Sequence, residues 1–259
     1  MKQAVRGKER FLPNSFHEIV FLMNFRQFKM KFVKDLQEWD DRVDGVTVFL
    51  MELTEEEFSD MSDLPYTDGF VVRKSVKLTA ENRRRVLNGF GAHRYATESE
   101  IPNMSKLFSG RVTEDELVTY SEYVEHMGHR LELQTDRKRD VIALNLLDSV
   151  RQLHSIGVVH RDIAPNNMQF NHDRFILVDF SDSARNTREF NDTYPDIIGH
   201  YQTESFMEDE KSVIEEYKGN YFELYKKFDI ISVWRSMQEF FSSPLIDKAN
   251  KDIDAGIYD

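Results

Sequence analysis

The residues best suited to chemistry in this chain lie in two neighbouring stretches, residues 160–167 and 176–181. Asp162 can accept a proton from a hydroxyl group and orient it, while Asn167 and Asp179 carry oxygen atoms of the kind that Mg²⁺ prefers. Phosphoryl transfer from ATP needs these groups and a cation on the nucleotide phosphates, because the protein contributes positioning and charge rather than covalent chemistry. The pattern therefore predicts Mg²⁺-dependent transfer of the γ-phosphate of ATP to a hydroxyl.

The two stretches resemble the catalytic loop and the metal-binding turn of the eukaryotic protein kinase superfamily. The resemblance implies that Asp162 orients the attacking hydroxyl and that Asn167 and Asp179 bind Mg²⁺. The sequences of the two stretches, VHRDIAPNN and ILVDFSDSA, are similar to those of short kinase-like proteins of fungi. The resemblance extends over roughly residues 70–240.

Three further landmarks occur in the order that the family has them. Residues 146–156 carry apolar side chains at helical spacing, and Gly157 ends this predicted helix before the catalytic loop. Residues 117–125 are predicted to form a strand that leads into a connector, and they resemble the kinase hinge. Residues 228–234 resemble the start of the helix whose aspartate, here Asp229, supports the catalytic loop from below.

The resemblance also implies a nucleotide site. The backbone of Glu122, Tyr123 and Val124 is expected to bind adenine, with Ser121 at the position that borders the back of the adenine pocket.

Lys74 is the candidate for the cation on the α- and β-phosphates of ATP. Strand alternation within residues 69–77 puts Lys74 on the same face as Val72, and the family has a small apolar residue at that place against adenine. An exposed lysine on an edge strand is the alternative, with Arg73 and Lys77 as competing candidates for the cation.

Two departures from the family concern the phosphate side of the site. No glycine lies between Gly45 and Gly69, so a hairpin covering the phosphates there is expected to be atypical, since only glycine lets backbone N–H groups approach so closely. The helix predicted to begin at Thr79, its N-cap, has no glutamate in register to pair with Lys74. The register points to Ala92 or His93. His93 could be a neutral core histidine, a stand-in partner for Lys74 or an exposed residue, and we expect it to be exposed. An unpaired Lys74 would weaken phosphate positioning.

A third departure lies in the catalytic loop and the turn after it. Ala164 stands where many family members have a cation for the transferring phosphoryl group, and loss of such a donor costs on the order of 10²–10³ in rate. Arg185, Arg188 or a substrate could supply the cation instead. Ser181 replaces the usual glycine of the metal-binding turn, which we interpret as a mild change.

The segment after this turn is long and polar. Phosphorylation of its serine, threonine or tyrosine residues could pair with Arg161 and order it, as the family often does. A segment ordered without phosphorylation, or a flexible one, is the open alternative.

Composition limits the other classes. The 259-residue chain has a formal net charge of −12, which disfavours nucleic acid and anionic membranes as partners and is compatible with a basic protein substrate. It has no cysteine, which excludes disulfides, thiolate metal sites and cysteine nucleophiles. It also lacks a signal-peptide core and an apolar run of the roughly 20 residues that span a bilayer, so we expect an intracellular, cytoplasmic protein.

The N-terminal third is less informative. Aromatic residues within residues 16–39 recur at helical spacing, which predicts a helix that packs on the small lobe or, alternatively, binds a partner. Residues 52–68 are acidic and are expected to form a solvated surface loop.

Together these observations predict an α+β, bilobal protein kinase-like fold with a small β-rich N-lobe and a reduced α-helical C-lobe. Residues 1–69 would form an N-terminal helical extension and the start of the small lobe, residues 70–124 the small lobe and hinge, and residues 125–259 the reduced large lobe. The predicted function is Mg²⁺- and ATP-dependent phosphorylation of a protein hydroxyl. A pseudokinase that serves as a binding scaffold or decoy, and a small-molecule phosphotransferase, are the alternatives.

Overall fold

The computed structural model describes residues 20–21, 30–36, 45–53, 69–126, 131, 133–192 and 216–255. Glu52 and Leu53, the first residues of the acidic loop predicted over 52–68, belong instead to a strand that ends at Leu53. Residues 54–68 and residues 193–215 of the polar segment lie outside the described residues. Among the residues that are described, no helix is both long and apolar enough to cross a membrane.

Ten strands and five α-helices make up the described part of the chain. The strands are β1 (Val20–Phe21), β2 (Met30–Asp35), β3 (Val46–Leu53), β4 (Phe70–Lys77), β5 (Leu107–Val112), β6 (Glu116–Glu122), β7 (Val158–Val159), β8 (Met168–Asn171), β9 (Arg174–Leu177) and β10 (Ala184–Arg185). The helices are α1 (Arg83–Glu98), α2 (Asp136–Ser155), α3 (Arg188–Asp192), α4 (Tyr221–Phe240) and α5 (Pro244–Asp254), with a 3₁₀ turn at Pro165–Asn167.

The first six strands form one antiparallel sheet in the order β1-β5-β6-β4-β3-β2. Strands β3 and β4 are rich in valine, phenylalanine and other residues that favour a pleated, half-buried surface. Two small antiparallel pairs, β7 with β10 and β8 with β9, lie around the catalytic loop. The chain is therefore a mixed α/β protein, as the sequence predicts.

The N-terminal strands correct one prediction. A helix was expected over residues 16–39, but residues 20–21 and 30–35 are strands at opposite edges of the sheet. In β2, whose sequence is MKFVKD, a β-bulge between Phe32 and Lys34 interrupts the alternation of apolar and charged residues, and the strand completes its hydrogen bonds against β3. The remaining residues of 16–39 lie largely outside the described part of the chain.

The helices form as predicted where their apolar spacing is regular. Ile142, Leu146, Val150 and Leu153 are buried along one face of α2, and Gly157 follows its end with a φ of +78°. Helix α1 begins later than predicted, at Arg83, with Asn82 rather than Thr79 as its N-cap. The Thr79 hydroxyl accepts a hydrogen bond from the backbone N–H of Asn82 at 3.2 Å, within the turn that precedes the helix. The largest core cluster packs around α2, α4 and the β8–β9 hairpin.

The connector that follows β6 is fastened to the β8–β9 hairpin. The Asn171 side-chain amide donates to the carbonyl of Glu125 at 3.0 Å. The backbone N–H of Phe170 donates to Nδ1 of His126 at 3.2 Å. Together these bonds hold the connector against the hairpin that carries the end of the catalytic loop.

Candidate active site

The catalytic loop is held in place by a buried carboxylate on α4. Asp229, which is 1% exposed, accepts hydrogen bonds from the backbone N–H groups of His160 and Arg161, both at 2.8 Å. Nε2 of His154, at the end of α2, lies 2.9 Å from the same carboxylate. Burial alone would raise the pKa of Asp229, but the hydrogen bond and the charge of His154 lower it below its usual value. This arrangement agrees with the support that the sequence predicts for Asp229.

Asp162 and Asn167 contact each other inside the loop. The Asn167 amide nitrogen donates to Oδ2 of Asp162 at 2.7 Å and to the Asp162 carbonyl at 3.0 Å. The Asn167 carbonyl accepts from the backbone N–H of Val178 at 3.0 Å, which places the loop beside the residue that precedes Asp179. Because the amide nitrogen of Asn167 donates to Asp162, the amide oxygen is the side-chain atom of Asn167 that is left to accept.

The carboxylate of Asp162 has an unusual electrostatic environment. Burial is the largest cause that raises the pKa of Asp162, and the neighbouring charges of Asp182 and Asp179 also raise it. The hydrogen bond from Asn167 acts in the opposite direction and also fixes the orientation of the carboxylate. A carboxylate with a raised pKa and a fixed orientation is suited to accept the proton of a hydroxyl.

Lys74 has its partners in the 179–181 turn rather than in helix α1. Its ammonium group donates to both carboxylate oxygens of Asp179, at 2.8 and 2.7 Å, and to the hydroxyl of Ser181 at 2.6 Å. Burial would raise the pKa of Asp179, but the charge and hydrogen bonds of Lys74 hold it well below its usual range. The candidate phosphate-binding lysine and the candidate metal ligand therefore lie in direct contact.

Two residues of the site adopt a left-handed backbone that side chains other than glycine seldom take. Asp179 has a φ of +55° and Arg161 has a φ of +71°. Such outliers occur at functional sites when the surroundings compensate for the strain. Here Lys74 binds the side chain of Asp179, and Asp229 binds the backbone N–H of Arg161.

Helix α1 packs on the 179–181 turn without a side chain between them. A Cβ atom built at Gly89 would lie 2.5 Å from the carbonyl oxygen of Phe180 and would also overlap the carbonyl group of Ser181. At Gly91, two residues further along the helix, an added Cβ meets nothing within 4 Å. Gly89 therefore sets the distance between the helix and the turn.

His93 corrects a second prediction, because it is buried and only 9% exposed. Its ring stacks on that of Phe180, with centroids 4.3 Å apart and an interplanar angle of 6°, and His160 packs against the same phenylalanine ring at 4.8 Å. Nε2 of His93 lies 2.9 Å from the Ser105 carbonyl and must donate to it. Burial lowers the pKa of His93 from 6.5 to about 4, so the ring is neutral at pH 7.

The inward face of α1 could have been found in the sequence. Its buried residues include Val86, Gly89, His93 and Ala96, a spacing of three and four that marks one side of a helix. The only acidic residue of α1, Glu98, pairs with Arg94 at 2.7 Å on the outer side.

The predicted adenine-binding residues lie at the end of β6. Ser121 pairs with Val72 of β4, two residues from Lys74 along the same strand. Val124 is buried, and the ring of Tyr123 meets that of Phe70 edge to face at 6.3 Å.

The Glu122 side chain has a structural contact of its own. It is buried, and its carboxylate accepts from the backbone N–H of Lys106 at 3.1 Å. Burial raises the pKa of this carboxyl group. The backbone of Glu122 pairs with Val71 of β4, and its N–H donates to the carbonyl of Lys106 at 2.8 Å.

The predicted stand-ins for the loop cation have other contacts. The Arg185 guanidinium lies over the Tyr95 ring, 4.4 Å from its centroid. Arg188 is the first residue of α3 and is exposed. In the part of the chain that the structure describes, no salt bridge joins a lysine or an arginine to Asp162.

Arg161 is enclosed by aromatic rings. Its guanidinium lies 4.5 Å from the ring centroid of Tyr225 and 5.7 Å from that of Phe190. It also donates to the carbonyl of Asp182 at 3.2 Å, and the carboxylate of Asp182 pairs with Arg85 of α1 at 3.6 Å. Asp182 thus links the catalytic loop to helix α1.

The donor set fits a divalent cation with a bound nucleotide. The ionised carboxylate of Asp179 and the amide oxygen of Asn167 are hard oxygen ligands, and Mg²⁺ typically takes one or two such protein ligands together with phosphate oxygens. Lys74 lies beside Asp179, where its charge can act on the same phosphates.

Comparisons with known proteins give likenesses among solved structures but none among family models or curated sequences. No family model matches the chain, and no curated protein matches its sequence. Among solved structures, the chain is similar to the PK-1 kinase of Cydia pomonella granulovirus, with 19% identity and a TM-score of 0.45. The match covers 61% of this chain and 53% of that kinase, so the chain spans about half of the viral protein's length.

Proposed function

We propose that this protein is a kinase-like phosphotransferase that moves the γ-phosphate of ATP to a hydroxyl group, with a protein as the substrate. The observation that carries this proposal is the meeting of Lys74 and Asp179 beside a catalytic loop in which Asn167 holds Asp162. These side chains come from β4, from the turn after β9 and from the loop before β8, and they are far apart in the sequence.

Each side chain has a separate task in this proposal. Asp162 accepts the proton of the attacking hydroxyl, and Asn167 keeps the Asp162 carboxylate in one orientation. Asn167 and Asp179 hold Mg²⁺, which neutralises charge on the β- and γ-phosphates when it is bound. Lys74 binds the α- and β-phosphates, and the backbone of residues 122–124 binds adenine.

The test is transfer of labelled γ-phosphate from ATP to the protein itself and to a basic protein, with and without Mg²⁺. We expect label in the wild type and its loss in Asp179→Asn and Asp162→Asn. Asp173→Asn changes an exposed aspartate in the β8–β9 turn and is the matched control, with unchanged transfer. Equal transfer by Asp179→Asn and the wild type would contradict the assignment of the site.

A pseudokinase is the second candidate, and one observation favours it. Lys74 and Asp179 neutralise each other directly, and Ala164 supplies no cation to the loop. A scaffold of this kind would show no transfer and no change in melting temperature on addition of Mg²⁺ and ATP. A Mg²⁺-dependent rise in melting temperature together with transfer excludes it.

A further inference from the structure

Lys74 needs a partner that fixes its ammonium group, and α1 does not supply the expected carboxylate. The helix position where the sequence predicts the glutamate partner of Lys74 holds His93 instead. His93 is neutral at pH 7, stacks on Phe180 and is hydrogen-bonded to the Ser105 carbonyl. A long lysine side chain without fixed contacts would lose its orientation towards the phosphates, because its rotamers are free.

The contacts of Lys74 identify the replacement. A lysine ammonium has three N–H donors, and the bonds of Lys74 go to the two oxygens of Asp179 and to the hydroxyl of Ser181. The Ser181 hydroxyl accepts from Lys74 at 2.6 Å and donates its own proton to Oδ1 of Asp179 at 2.5 Å. A hydroxyl is able to do both at once, whereas a glycine or an alanine at this position can do neither.

Ser181 is itself held by the fold. Its backbone N–H donates to Oδ1 of Asp179 at 3.1 Å, which closes the turn. On the other side, the absence of a side chain at Gly89 lets the backbone of α1 lie directly against the carbonyl groups of the turn. The stacking of His93 on Phe180 adds a second contact between the same helix and the same turn.

We propose that Ser181 is the positioning residue for Lys74 and replaces the missing glutamate of helix α1. The helix then acts on the lysine indirectly, because it fixes the 179–181 turn and the turn fixes the ammonium group. This inference concerns the site of the proposed phosphotransfer and rests on that function for its meaning, but its first test does not require nucleotide.

The first test measures the reactivity of Lys74 in the nucleotide-free, full-length protein. Acylation by a water-soluble N-hydroxysuccinimide ester is followed by peptide mass spectrometry, with Lys248, 77% exposed on α5, as the internal reference. Loss of a hydrogen bond to a charged group releases the amine, so Ser181→Ala and Ser181→Gly should react about tenfold faster at Lys74. Ser181→Thr keeps the hydroxyl and should stay within about twofold of the wild type.

The pattern of variants separates positioning from general loosening. A variant that had lost its fold would accelerate the acylation of partly buried lysines throughout the chain, whereas the inference requires acceleration at Lys74 with the other lysines unchanged. Wild-type reactivity of Lys74 in both Ser181→Ala and Ser181→Gly overturns the inference, and so does equal acceleration in Ser181→Thr.

The second test uses the proposed reaction. Lysine contacts to the α- and β-phosphates act in the ground state and the transition state alike, so their loss raises KM and leaves kcat. Ser181→Ala should therefore raise KM for ATP about tenfold with kcat within about threefold, and Ser181→Thr should restore KM. A fall in kcat alone overturns the assignment. If the wild type transfers no phosphate, the proposed function fails, and the acylation result alone decides the role of Ser181.

Discussion

The two sides of the candidate site are held in different ways. The catalytic loop depends on a buried charge, since the Asp229 carboxylate binds the backbone of His160 and Arg161. The Lys74 side depends on the ion pair of Lys74 with Asp179, on the Ser181 hydroxyl and on the close approach of α1 at Gly89. The contacts of the loop side follow the sequence-based expectation for Asp229, whereas those of Ser181 and Gly89 were not expected from the sequence.

This difference shows where substitution is tolerated. A backbone N–H that is buried beside a carboxylate has no alternative partner, so the loop side depends on one side chain. A lysine at the end of a flexible chain can be fixed by any acceptor at the right place, so the partner can move from a helix to a turn. The predictions below address the two sides in order of expected effect.

The largest effect is expected for Asp229→Ala. The change leaves the backbone donors of His160 and Arg161 buried without their acceptor, and loss of one partner in a buried charged network costs about 3–5 kcal/mol. Urea denaturation measures the loss of unfolding free energy. Asp252→Ala, which removes an exposed ion pair with Lys248, is the control and should cost about 0.5 kcal/mol or less. Equal losses in the two variants would show that the loop is held by other contacts.

The second effect is a pH dependence that comes from His93. Its pKa is about 4 in the folded protein against 6.5 without the fold, so the unfolded chain binds more protons between these values. The stabilisation by neutral His93 is present above pH 6.5 and is lost as the pH falls towards 4, with a total on the order of 3 kcal/mol. His93→Gln keeps a donor for the Ser105 carbonyl but does not titrate.

Denaturation of both proteins at several pH values tests this assignment. The unfolding free energy of the wild type should fall more steeply with decreasing pH than that of His93→Gln between pH 6.5 and 4. Parallel curves across this window would assign the acid sensitivity to other groups.

The third effect compares two glycines of one helix. Gly89→Ala forces a methyl group against the carbonyl groups of Phe180 and Ser181, and overpacking of this kind costs about 1–3 kcal/mol. Gly91→Ala meets no atom within 4 Å and should stabilise the helix by about 0.5–1 kcal/mol, because alanine is the better helix former. Opposite signs in thermal melts support the close packing of α1 on the turn, and equal signs contradict it.

Much of the loop side could be predicted from the sequence because its residues are local. Asp162 and Asn167 lie in one turn of chain, and their contact follows from a short segment whose spacing has little freedom. Asp229 was predicted from the resemblance of residues 228–234 to a kinase helix. The structure brings it to the loop as predicted.

The Lys74 side could not be predicted in the same way because it is made by tertiary packing. The bond from Lys74 to Ser181 joins residues 107 positions apart, and no local pattern marks it. The burial of His93 was not predicted because its position was found by counting residues from a segment outside the helix. Such a count gives the position along the chain, but it does not show which face of the helix the residue is on. The prediction of a helix at residues 16–39 was wrong at β1 and β2. The conformation of these strands is determined by pairing with β5 and β3, which the local spacing of apolar residues does not show.

The bonds between the connector and the β8–β9 hairpin have a mechanical consequence. From Glu125 onward the connector is tied to the hairpin, and the segment before β5 is tied to the same hairpin by the bonds of Asn103 and Ser105 with Leu177. The large sheet is therefore fastened to the hairpin at two separate places. A rotation about the line that joins these two places strains neither of them, whereas a rotation about any other axis strains at least one. We therefore expect the sheet to move against the hairpin mainly about that line.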